Sequence, residues 1–128
     1  MNILDENIPK SQRLLMDSWG IRARQIGVDI GTKGMQDEEI IPLLHQMRHP
    51  TFLTRDDDFY EKRLAHAGYC LVFLAVEKYE AAFYARRVLR HRAFKTKAQR
   101  MGCVLRVSNA GIWLWRSRSK KEEFISWS

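Results

Sequence analysis

Cysteine is scarce, long apolar runs are missing, and one region has no acidic residue at all. The 128 residues include two cysteines, Cys70 and Cys103, too few for the bridged framework of a small secreted domain. Both lie in apolar, strand-like segments, and both are expected to be reduced and buried. No stretch approaches the ~20 apolar residues of a membrane span. The longest apolar run, residues 69–76, has the length of a strand. Met1-Asn2-Ile3-Leu4-Asp5 has no basic segment leading into an apolar one, so it does not read as a signal peptide. A cytoplasmic protein with no membrane partner is expected. There is no internal repeat, low-complexity tract or linker, and residues 1–128 read as a single domain, long enough to bury a substantial core.

Between Glu80 and Glu122 no acidic residue occurs. Residues 1–80 hold ten Lys/Arg against thirteen Asp/Glu, a balance of −3, whereas residues 81–128 hold twelve against two, a balance of +10. An acidic half joined to a basic half suits an enzyme that keeps cations in one place and a polyanion beside them. The plainer alternative is a basic face that only aids solubility.

Strand and helix signals alternate with short connections. Residues 2–5 read as a strand. Residues 9–19 read as a helix, with Pro9 at its first position and Gly20 as its stop. Residues 22–26 form a second short strand, followed by a glycine-bearing loop over 27–34. Ile40, Leu43, Leu44 and Met47 have helical spacing over 38–47. Residues 51–54 are a third strand, 58–67 a short helix ended by Gly68, 69–76 a buried fourth strand, and 79–94 a long helix. Val104–Val107 and Ile112–Trp115 flank Ser108-Asn109-Ala110-Gly111, a hairpin signal. Residues 117–128 are polar and expected to fray. This rhythm implies an α/β fold with a mostly parallel central sheet, helices on both faces and a C-terminal β-hairpin.

Ligands of open α/β sheets bind outside the carboxyl ends of the strands, and acids recur there. Asp5-Glu6 follows the first strand, Asp37-Glu38-Glu39 opens the second helix, and Asp56-Asp57-Asp58 follows the third strand. Carboxylates brought together repel, and some must take up protons unless a cation joins them. Mg²⁺ and Mn²⁺ prefer such oxygen ligands. A bound cation can acidify a water and polarise a phosphoryl oxygen, so no nucleophilic side chain is needed for phosphodiester hydrolysis. Asp56 and Asp58 are the expected metal ligands of their triplet, with Asp57 pointing away. For any single acid the plain alternative is a helix cap.

Three segments carry a resemblance: Ile3-Leu4-Asp5-Glu6-Asn7-Ile8-Pro9, Asp37-Glu38-Glu39-Ile40, and Phe52-Leu53-Thr54-Arg55-Asp56-Asp57-Asp58-Phe59. In this order the chain resembles the compact PIN-like proteins related to VapC ribonuclease toxins, from about residue 2 to residue 76. The resemblance implies a PIN-like three-layer sandwich and a Mg²⁺- or Mn²⁺-dependent endoribonuclease, the toxin of a toxin–antitoxin pair with a cognate antitoxin as partner. Residue by residue it implies metal-binding and catalytic roles for Asp5, Asp37, Asp56 and Asp58. Larger PIN domains carry a further glutamate on an extra helical segment; here Glu6 or Glu38 would substitute, or the site would hold one metal. One departure is Pro42, which belongs in a first helical turn. A helix starting near Glu39 would accommodate it and displace Asp37.

On the 79–94 helix, Ala81, Tyr84, Ala85 and Val88 form an apolar stripe. Phe83, Arg86, Arg87, Arg90 and Phe94 fall on the other face, which suits single-stranded RNA. It equally suits an antitoxin-binding surface or a subunit interface in a homodimer. Arg55 can contact a substrate phosphate or, as the preferred expectation, pair with a neighbouring acid. His45 and His49 lack a third zinc ligand and read as surface residues. Two further readings stay open. A receiver-like signalling domain also places acids after its first and third strands, but needs a hydroxyl after the fourth, where Val76-Glu77-Lys78 stands. The other is a PIN-like binding module without catalysis.

Overall fold

A computed structural model describes residues 1–127. The elements are β1 (Asn2–Leu4), α1 (Lys10–Ser18), β2 (Arg24–Gln25), α2 (Asp37–His45), β3 (Thr51–Thr54), β4 (Cys70–Leu74), α3 (Ala81–Leu89), α4 (Lys97–Arg100), β5 (Cys103–Val107), β6 (Gly111–Arg116) and β7 (Glu123–Ser126). They form an α/β fold around a seven-stranded sheet of order β2-β1-β3-β4-β5-β6-β7. The first five strands are parallel, and β6 and β7 add as an antiparallel meander.

The period-two alternation of strand side chains divides the core into two layers. Ile3, Phe52, Leu71 and Val104 are register partners across four strands. They pack on one face with Ile40 and Leu44 of α2. Their neighbours Leu4, Leu53, Val72 and Leu105 form the matching row on the opposite face, with Met16 of α1 and Ala81, Ala85 and Val88 of α3. A one-residue slip would exchange these two sets. Cys70 and Cys103 are both buried and unbridged.

Four segments differ from the sequence expectation. Residues 58–67 are not one helix but two 3₁₀ turns, Asp57–Phe59 and Lys62–Leu64. Phe59 and Leu64 stand too far apart to share a helix face, and separate turns bring both onto the α2 side of the core. The 79–94 helix is shorter, with a 3₁₀ turn at Lys78–Glu80 and α3 ending at Leu89. Phe94 explains the stop. In a continuous helix it would lie with Phe83 and Arg90 in solvent, whereas in the structure it is fully buried. The unexpected α4 follows, opened by a Thr96–Gln99 capping box. Finally, residues 117–128 do not simply fray. Residues 123–126 pair with β6 as β7, and Trp127 Nε1 donates to the Ser108 carbonyl oxygen at 2.8 Å. Ser128 lies outside the described residues.

The placement of the two phenylalanines is testable by chemical denaturation. Phe94→Ala should cost about 3–5 kcal/mol, as expected for a large buried ring. Phe83→Ala, on the exposed face of α3, should stay within about 0.5 kcal/mol of the parent. Similar losses would contradict the observed end of α3.

Candidate metal centre

In this strand order β2 and β3 flank β1 on opposite sides, so a crevice opens at the carboxyl ends of β1 and β3. Each of these strands delivers an aspartate to that crevice. Asp5 follows β1 directly, and its N–H donates to the Leu53 carbonyl at 2.9 Å. Its own carbonyl accepts from Gln25 Nε2 at 3.0 Å. The Asp5 carboxylate accepts from the Glu6 N–H at 2.7 Å and from Thr54 Oγ1 at 2.6 Å.

Thr54 is the hinge of the site. Besides donating to Asp5, its hydroxyl oxygen accepts from the Asp56 N–H at 3.0 Å and from Asn7 Nδ2 at 3.3 Å. Asn7 Oδ1 in turn accepts from the Arg55 N–H at 3.2 Å. One buried hydroxyl and one amide therefore fix how the chain leaves both strands. Asp56 Oδ1 accepts from the Asp58 N–H at 2.9 Å, capping the turn that carries Asp58. Phe59 anchors that turn, its ring 5.1 Å from Phe52.

Asp37 arrives from the second layer as the first residue of α2. Glu39 reaches back to accept from the Gln36 N–H at 3.1 Å and fixes this helix start. Pro42 therefore does not displace Asp37, contrary to the sequence expectation. It sits inside the helix, which forgoes one backbone bond, to the carbonyl of Glu38. Pro42 and Glu38 are both exposed, so that bond is lost at the solvent face.

Asp37, Asp56 and Asp58 each offer a carboxylate oxygen, and the three lie within 4.8 Å of one another. This is the one such group of His, Cys, Asp or Glu among the described residues. Burial pushes the Asp37 carboxyl up to about 6, aided by the charges of Asp56, Asp58 and Asp5 and by a hydrogen bond with Asp56. The Asp5 carboxyl is also raised, chiefly by burial, against the opposing hydrogen bonds from Thr54 and Glu6. An all-oxygen donor set with a high local charge fits a hard divalent cation such as Mg²⁺ or Mn²⁺.

The structure brings together three of the expected ligands and places the others around them. Asp5 is not among the three acids whose oxygens lie within 4.8 Å of one another; its carboxylate, held by two hydrogen bonds, stands beside them. Glu6 lies outside the triad. Its Oε1 accepts from the Gly34 N–H at 2.8 Å and ties down the 27–34 loop. Glu38 is exposed and outside the triad, as is Asp57. Among the described residues Arg55 pairs with no acid. Its Nη2 donates to the Val76 carbonyl at 3.3 Å, and its Nε is buried without a partner. Arg55 thus points away from the aspartate triad, into a cavity of about 640 Å³ at the ends of β4 and β5, lined also by Glu77, Lys78, Glu80 and Asn109. Arg86 and Arg87 lie on α3 and Arg90 caps its end; the helix runs back from this rim as a crossover helix must. His45 meets the rings of His66 and Tyr69.

Sequence reasoning missed the positioning residues Thr54, Asn7 and Gln25. Thr54 stood inside the quoted Leu-Thr-Arg-Asp segment, and a hydroxyl in an otherwise apolar strand end was the available signal. No protein-family model matches the chain, and no curated protein or solved structure matches it.

Two outcomes are expected. Thr54→Val leaves the buried Asp5 oxygen and the Asp56 N–H without their partner, and should cost about 1–3 kcal/mol in denaturant titration. The Asp37 carboxyl is raised in the folded state, so its contribution to stability is full below its unfolded value and fades as pH rises through about 6. Metal-free protein should therefore melt at lower temperature at pH 7.5 than at pH 5. Asp37→Asn should raise the melting temperature at pH 7.5 and flatten this dependence; an unchanged profile would show that Asp37 carries no such strain.

Proposed function

We propose that the protein is a Mg²⁺- or Mn²⁺-dependent endoribonuclease of PIN-like type, acting in the cytoplasm as the toxin of a toxin–antitoxin pair. The observation that carries this reading is the convergence of Asp37, Asp56 and Asp58, from two layers of the fold, on one point at the strand crossover. In this reading the three carboxylates hold the cation, and Asp5 contributes negative charge beside it. When bound, the cation supplies an acidified water and a positive charge for the phosphodiester oxygens. The chain's own work is positioning. Thr54 and Asn7 set the exit of Asp56, Phe59 pins the turn beneath Asp58, and Glu39 sets the first turn of α2. Arg55, with no carboxylate on its guanidinium, can bind a phosphate flanking the cleaved one.

A second reading has one observation in its favour. The order β2-β1-β3-β4-β5 is that of flavodoxin-like and receiver folds. A receiver would take a phosphoryl group on Asp56. Against this, Ala75 and Val76 follow β4 and Ser108 follows β5, where a receiver needs a hydroxyl and a lysine.

The deciding experiment is incubation of purified protein with single-stranded and structured RNAs, with Mn²⁺ or EDTA, beside Asp56→Asn. Cleavage that needs Mn²⁺ and falls by at least about 100-fold in the variant is expected, the loss of roughly 3 kcal/mol of transition-state stabilisation. Cleavage that persists in EDTA, or is equal in the variant, contradicts the nuclease reading. Phosphorylation of Asp56 by acetyl phosphate without RNA cleavage would favour the receiver.

A further inference from the structure

A concentrated patch of positive charge lies away from the carboxylates. Arg86, Arg87, Arg90 and Arg92 fall within seven residues at the end of α3 and line a concavity of about 630 Å³ with Phe83 and Trp127. Among the described residues the two ion pairs are Arg13–Asp29 and Arg116–Glu123, so none of these four guanidinium groups is neutralised. Their mutual repulsion is left for something outside the chain to relieve.

Two of the four are also pre-ordered. The Arg86 guanidinium lies 3.7 Å from the centroid of the Trp19 ring, and that of Arg87 lies 4.2 Å from the centroid of Trp127. Trp127 is itself held by its hydrogen bond to the Ser108 carbonyl. Stacking fixes the guanidinium planes and leaves their N–H edges free to meet phosphate oxygens. Phe83 is 45% exposed beside them, a large ring left in water. Planar cations with no carboxylate partner, set around an exposed ring, match a strand that offers both phosphates and unpaired bases. A duplex hides its base faces, and an acidic polypeptide has none.

We propose that this groove binds single-stranded nucleic acid, as a surface separate from the carboxylate crevice. That the natural strand is RNA rests on the ribonuclease reading, but binding in the groove needs no metal. The test is therefore run in EDTA, by fluorescence anisotropy of a labelled oligouridylate of about twelve nucleotides, a length within the usual span of single-strand grooves. Each phosphate contact adds about 0.7 to the slope of log affinity against log salt. Arg90→Gln/Arg92→Gln should lower that slope by about 1.4 and weaken binding roughly 20-fold at 0.1 M salt. Phe83→Ala should weaken it by at least about fivefold while melting like the parent. Absence of binding, or affinity and slope unchanged in both variants, overturns the proposal. So does equal competition by a duplex or by poly-glutamate of the same charge. The outcome is independent of cleavage, so failure of the groove and failure of the metal centre are read separately.

Discussion

Repulsion among carboxylates at the point where β1 and β3 diverge is the constraint around which this molecule is organised. Asp5, Asp37, Asp56 and Asp58 act on one another there, and the charge of the other three helps to push Asp37 toward neutrality. A fold serving stability alone would not gather them, since each charge raises the cost of ionising the next. The cost is borne by polar scaffolding beneath. The Thr54 hydroxyl serves three partners at once, and Gln25 spans from β2 to the carbonyls of Asp5 and Ile8. These bonds hold the strand ends in place against the charges they carry.

The core makes that placement stiff. Two four-residue rows, one led by Ile3 and one by Leu4, run through consecutive strands and bury against different helices. The sheet is thereby fixed from both sides, and Asp5 and Asp56 emerge from positions that cannot slide by one residue without turning the core outward. Asp37 is fixed by other means, a helix start that the Gln36–Glu39 bond determines. The opposite charge is kept on α3 and beyond, where Trp19 and Trp127 rather than carboxylates order the arginines. Acids at the crevice and unpaired arginines along one helix suit a protein that handles cations and polyanions on separate surfaces.

Much of this was legible in the residues. Alternating strand and helix signals were enough for a parallel sheet, because apolar strands such as β4 have no other place than the interior. The Asp56 and Asp58 placements followed from reading acids at strand ends, whereas Pro42 argued against Asp37, which the Gln36–Glu39 bond nevertheless keeps at the helix start. What escaped was set by tertiary contact. Phe94 ends α3 by burying its ring, a demand no helical periodicity reveals. The tail gained a strand because β6 offered an unpaired edge to residues 123–126. Arg55 looked like a partner for its acidic neighbours, yet its backbone direction sends it across the strand ends to Val76. Asp5 looked equivalent to the other aspartates, but its oxygens fall outside the group that Asp37, Asp56 and Asp58 form.

If three carboxylates and a divalent cation form one unit, the cation should be countable without reference to any reaction. Titration of the protein with Mn²⁺, followed by the loss of the free ion's electron paramagnetic resonance signal, measures this directly. A saturable site that Asp37→Asn or Asp56→Asn removes, and that Asp57→Asn leaves in place, is the expected result. Weak, unsaturable uptake, or a site equally present in all three variants, would contradict it.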